Sequence, residues 1–264
     1  KSYQLGYGDS SLMFFRKKKT DDIILDCYTY NPYAYNFAKI NYGYHYIPEW
    51  WKKTPKILEK RIATIKNCPA FVEYYTKGIV LPMWCELIIQ IEPKGSEQLF
   101  TWKSSHKKFG INPHIQEQFK GFSKEDGHNL KMVSPWYIKC KEEISFTYTQ
   151  PTWNQRDTIF DLILQPGVLS FKSNMQTNLN YFFQQKNTQQ NIHIQPLTPM
   201  VIMHPISERK VKLRHHFLTS KEDEDGALSG INNGMLFDNY PENVHKKAKK
   251  LFEKIDEVDG GIYK

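Results

Sequence analysis

Histidine is the side chain best able to bind metal or move protons near neutral pH. The candidates here are His106, His114, His128 and His204. A cupin or iron-oxygenase centre needs a His-x-Asp/Glu pair on one strand and a distant third ligand. The sequence does not supply that pair. His106 is followed by Lys107-Lys108, His114 by Ile115-Gln116 and His204 by Pro205-Ile206. His128 follows Asp126, but across Gly127 in a predicted turn. These four are weak metal candidates, and no cofactor is expected. His215-His216 are adjacent, so on a strand they face opposite sides.

Other chemistry-bearing patterns are missing. There is no GxxxxGK[ST], no GxGxxG after a strand, no GxSxG elbow and no HExxH. Asp157 and Asp161 flank a strand-like stretch and read as structural. Glu222-Asp223-Glu224-Asp225 reads as a solvated run. No catalytic residue is assigned. Cys27, Cys68, Cys85 and Cys140 show no CxxC spacing, which argues against a zinc ribbon or a redox pair. They sit in or beside apolar segments and are expected as buried free thiols of a reducing compartment.

The chain has 264 residues, 40% of them hydrophobic and 14% aromatic. A packed core is expected, and the aromatic load favours strands. The net charge is +8. Lysine far outnumbers arginine, so lysine-rich composition explains the charge better than base or phosphate reading does. Nucleic acid is a possible partner, though not the favoured one. No apolar run reaches spanning length and no signal-peptide pattern opens the chain, so no membrane partner is expected.

The elements divide the chain into four parts. Residues 1–21 form an N-terminal arm ending in Arg16, Lys17, Lys18 and Lys19. Residues 22–218 form one β-rich domain. Residues 219–240 are an acidic, glycine-bearing loop. Residues 241–264 are a C-terminal amphipathic helix with Leu251, Phe252 and Ile255 on its apolar side. Strands are predicted over 22–30, within 79–91, over 98–103, 130–138, 144–149, 158–164, 167–172, 179–184, 192–194 and 200–203. Residues 104–129 are predicted as a long polar loop with a helical turn near 115–119. Short helices are expected at Pro48-Glu49-Trp50-Trp51 and over 70–76, the second stopped by Gly78. Short strands separated by turns are the signature of a sandwich or barrel. The expected fold is mainly β: a β-sandwich, jelly-roll or β-clip core with short helical insertions and the C-terminal helix. Tyr33, Tyr35, Tyr42, Tyr44, Trp50 and Trp51 join the basic arm and the tail as candidate interface residues, since aromatics dominate interface cores.

Three stretches resemble a known family. They are Ile47-Pro48-Glu49-Trp50-Trp51-Lys52 with Pro55, Thr64-Ile65-Lys66-Asn67-Cys68-Pro69-Ala70-Phe71 with Thr76-Lys77-Gly78-Ile79, and Ser134-Pro135-Trp136-Tyr137-Ile138. They resemble an uncharacterised family of bacteria and marine tailed phages, over about residues 22–206. The second half is also similar to the β-clip of trimeric dUTPases, at Gly167-Val168-Leu169-Ser170 and Leu197-Thr198-Pro199-Met200-Val201-Ile202. Ser170 stands near the place of the acid that positions water there, so the resemblance implies the fold without that catalysis.

The resemblance and the lack of a catalytic constellation together imply a non-enzymatic structural or assembly protein of a tailed bacteriophage. It would be a homo-oligomer contacting protein subunits, in the host cytoplasm during assembly and in the virion afterwards. The alternatives are a β-clip enzyme that binds or hydrolyses a nucleotide or small ligand, and a metal-dependent β-barrel oxygenase.

Overall fold

The computed structural model describes residues 22–106, 110–113, 127–154, 161–172 and 177–219. The basic arm, His114, the turn near 115–119, Asp157, the acidic loop and the C-terminal segment with Leu251, Phe252 and Ile255 lie outside the described residues.

The described chain is mainly β, arranged as four sheets. The largest has five strands: β11 (Gly167–Ser170), β9 (Ser145–Thr149), β14 (Pro199–Pro205), β3 (Ile79–Pro82) and β2 (Asn41–Tyr42), in that order. A three-stranded sheet runs β13 (Gln190–Ile194), β4 (Leu87–Ile91), β5 (Phe100–Ser104). A four-stranded sheet runs β10 (Ile163–Leu164), β12 (Leu179–Gln184), β7 (Gly127–Met132), β6 (Ile111–Pro113). The last runs β15 (Val211–Phe217), β1 (Ile23–Thr29), β8 (Tyr137–Lys139). Among the described residues every ladder is antiparallel except β1 with β15, which pair in parallel from Ile23–Val211 to Thr29–Phe217.

Period-two patterning sets which face is buried. In β4 the side chains of Leu87, Ile89 and Ile91 are buried while Ile88 is exposed; in the partner β13, Ile192 and Ile194 are buried and His193 is exposed. In β12 the buried set is Leu179, Tyr181 and Phe183. β9 buries Phe146 and Tyr148, as its alternation predicts. The β3 strand is buried at all four positions, because its second face lies under the helical insertion.

That insertion holds α1 (Pro32–Phe37), α2 (Glu49–Lys53) and α3 (Pro69–Lys77). Asn31 caps α1 by accepting from the Ala34 amide at 2.9 Å. Thus part of the tyrosine-dense stretch, irregular by its sequence, is a capped helix. Proline opens α1 and α3 at positions where its missing N–H costs nothing. Trp51 stacks on Phe71 of α3 at 5.0 Å and 6°, and Trp50 and Trp153 close round the same ring. The tryptophan pair thus ties α2 to α3 and to the turn that holds Trp153.

Three further sequence expectations change: the strand predicted over 130–138 is broken, with β7 ending at Met132 and β8 running Tyr137–Lys139. The polar stretch 104–129 predicts loop, yet β6 and the start of β7 lie there, and Gly127 and His128 are strand residues. Their strand pattern is hidden because both faces of β7 are covered, leaving no polar alternation. β15 carries Lys212, Arg214 and His216 outward and so reads as polar, but it seals the edge of β1.

Candidate functional site

The space between the sheets is filled. Trp84, Trp136, Tyr181, Phe146, Phe171 and Phe183 are all buried there with the aliphatic core. The hydroxyls of Tyr148 and Tyr181 donate to the carbonyls of Asn178 at 2.9 Å and Met200 at 3.1 Å, so both rings are satisfied in place.

Of the predicted histidine ligands, the three described ones are dispersed and engaged. His106 Nε2 meets the Asn31 side-chain amide at 2.5 Å. His128 Nε2 pairs with Gln185 Oε1 at 3.1 Å. His204 Nε2 donates to the Tyr74 carbonyl at 2.8 Å, and burial holds its imidazole below the ordinary value. Among the described residues no group of three or more His, Cys, Asp or Glu is placed to hold a metal ion. His215 and His216 do face opposite sides: His215 donates to the Ile40 carbonyl beneath the sheet, and His216 reaches Asp26 above it.

Two outer features concentrate function-grade chemistry. The first is a groove of about 400 Å³ between α3 and the turn from β14 to β15. Its floor is Ile79, Pro205 and Val211, and one wall is Tyr42 and Tyr44, which stack at 5.5 Å and 8°. Tyr42 is fixed because its hydroxyl accepts from the Leu213 amide at 3.3 Å. Tyr44 is half exposed. Lys77 spans the mouth, meeting Glu73 at 3.1 Å and Glu208 at 3.0 Å. Arg209 of the same turn is paired with Glu142. An apolar floor, aromatic wall and mixed-charge rim suit a short extended peptide segment.

The second is the outer face of the β15-β1-β8 sheet. Asp26 is 6% exposed, and Arg214 grips it through Nε and a terminal nitrogen, each at 2.8 Å. His216 adds a third bond at 2.8 Å and stacks on Tyr28 at 4.6 Å. Burial alone would raise the Asp26 carboxyl, but the bonds from Arg214 and His216 outweigh it and hold the group below its ordinary value. The Asp–His pair has the geometry of a base and its orienter, but Cys27, the adjacent nucleophile, points into the core, where burial drives its thiol far up.

Of the predicted interface residues, Tyr33 and Tyr44 are exposed, and Tyr42 lines the groove. Tyr35 packs against Phe217, and Trp50 and Trp51 serve the α3 cluster. Sequence reasoning misses the turn from β14 to β15, because only the fold brings it to α3. In the β-clip-like segments, Ser170 sits on edge strand β11 and residues 199–202 on central strand β14, with β9 between them. Among known protein-family models none matches the chain, and no curated protein is significantly similar to it.

Proposed function

We propose that the chain is a non-enzymatic structural or assembly protein, of the kind carried by tailed phages, acting through protein–protein contacts in the host cytoplasm and then in the particle. The observation that carries this is the tyrosine-walled groove at the α3 edge, a preformed outer surface of peptide dimensions. Supporting it, the space where a barrel enzyme would place its site is packed with aromatic side chains.

Light scattering on the purified protein, with and without chelator, is the direct test. A defined oligomer indifferent to chelator is the expected result. Tyr44→Ser, which strips an exposed ring from the groove wall, should weaken that assembly about tenfold while leaving the melting temperature within about 2 °C. A strict monomer that also fails to bind purified virion proteins would overturn the proposal.

A further inference from the structure

Residues 55–63 form a finger in which every described side chain is exposed (Lys60 is not described). It is a built hairpin, not a loose loop. Ile57 bridges to Ala63. The Leu58 amide donates to the Ile62 carbonyl at 2.9 Å, and Arg61 and Thr64 donate back to Leu58 and Lys56. Its base is pinned by Lys66, whose Nζ donates to the carbonyls of Trp51 and Lys52 and lies 4.5 Å over the Trp51 ring. Asn67 Nδ2 adds a bond to the Lys56 carbonyl at 2.8 Å.

The finger displays what a fold normally hides. Ile57 is 60% exposed, Leu58 50% and Ile62 54%. Around these aliphatic residues, the stretch 49–66 carries Lys52, Lys53, Lys56, Lys60, Arg61 and Lys66 against only Glu49 and Glu59. Behind them, at the base, stand Trp50 and the exposed Trp153, joined by a bond from Trp50 Nε1 to the Trp153 carbonyl at 3.1 Å.

We propose that this finger docks on an anionic lipid surface, inserting Ile57, Leu58 and Ile62 among the acyl chains near the headgroups. The turn of the finger is Glu59-Lys60-Arg61, the exposed aliphatic side chains Ile57, Leu58 and Ile62 flank it, and tryptophan stands at the base. Exposed aliphatic side chains interleaved with cations above a tryptophan base suit the boundary between acyl chains and anionic headgroups, where indole rings settle. A nucleic-acid ligand would call for stacking rings at the tip, and the tip has none. An acidic protein cleft would be better met by arginine forks, whereas lysine dominates here and suits a diffuse anionic surface. This contact is peripheral: among the described residues no helix is long and apolar enough to cross a membrane. It rests on a different surface from the groove and stands or falls apart from it.

The test is flotation of the full chain with phosphatidylcholine vesicles, with and without about 30% phosphatidylserine, using lipids brominated near the headgroup to quench tryptophan. Binding to the anionic vesicles with quenching is expected, falling steeply with salt. Each cation contributes roughly fivefold, so the triple variant K52Q/K53Q/K56Q should lose roughly a hundredfold. I57S/L58S should lose at least tenfold and abolish the quenching. Both variants change exposed side chains, and unchanged melting temperatures will show that the fold is intact. No flotation by the folded wild type, equal binding to neutral vesicles, or I57S/L58S binding like wild type would each overturn the proposal. So would retention on a single-stranded oligonucleotide without flotation, which would assign the cations to nucleic acid.

Discussion

Asp26 keeps its charge at 6% exposure because Arg214 holds both its oxygens and His216 holds one of them again. A carboxyl held below its ordinary 3.8 stabilises the fold above that value and loses the contribution as pH falls through the folded value. Denaturant melts should therefore show this contribution flat from neutral pH down to about 5, declining from about 4, and gone only once the pH lies below the folded value. Asp26→Asn should cost about 2 kcal/mol at pH 7 and flatten the acid limb; an unchanged limb would show that other carboxylates govern it. The thiols make a second residue-scale case. All four cysteines are free, and Cys27, Cys85 and Cys140 are buried. Burial raises each of those three, Cys85 to about 11. Only half-exposed Cys68 should react quickly with a disulfide reagent at pH 8, and the other three only on unfolding. More than one fast thiol in the native protein would contradict this packing.

At the scale of elements, α3 is held less by its own nine residues than by rings that converge on Phe71. Phe71 is 2% exposed and touches Trp50, Trp51, Tyr75 and Trp153. Phe71→Ala should cost about 3–5 kcal/mol and shift tryptophan emission to the red in denaturant titrations, because three indoles lose a neighbour. Gly78 ends α3 for a reason its sequence position does not disclose. By sequence it is a helix stop, yet its backbone is extended, not left-handed. A Cβ there would lie 2.5 Å from Ile202 Cδ1 and 2.6 Å from the Tyr74 carbonyl oxygen. Gly78 is thus the contact point between α3 and β14, and Gly78→Ala should destabilise by about 1–3 kcal/mol through overpacking, read from the midpoint of urea unfolding. Burial decides which elements the sequence discloses. β9, β12, β13 and α3 are legible because one face meets water and the other the core, so the period shows. β6 and the first half of β7 are not, because burial on both faces of β7 erases alternation and β6 is too short to show a period. The groove is illegible because Tyr42, Lys77 and Arg209 are distant in sequence and meet only through the β2-β3-β14 pairing.

For the molecule as a whole, the parallel ladder matters most. β1 opens the described chain and β15 closes it, and seven residue pairs zip them together. The zipper continues past its ends, with the Ile23 amide donating to the Lys210 carbonyl at 2.8 Å and the Leu218 amide to Thr29 at 2.9 Å. Beneath it lie Ile23, Leu25 and Cys27, all fully buried, and above it the Asp26–Arg214 pair. Because β1 pairs with β8 on one side and β15 on the other, it is a central strand only while β15 is present. Without β15, the long hydrophobic β1 becomes an unpaired edge, the template that invites aggregation. The last described strand therefore completes the sheet begun by the first, and folding must wait for a contact nearly two hundred residues apart in sequence, a topology that folds slowly. A chain ended after Ser207 should fail to show a cooperative melt by circular dichroism and should scatter light at micromolar concentration. Ending the chain after Thr219 instead keeps β15, and should leave the cooperative melt and the far-ultraviolet spectrum of the strands in place. Should the shorter chain melt cooperatively and stay in solution, the core would close without its outer sheet, and the parallel ladder would be an addition to the fold instead of its latch.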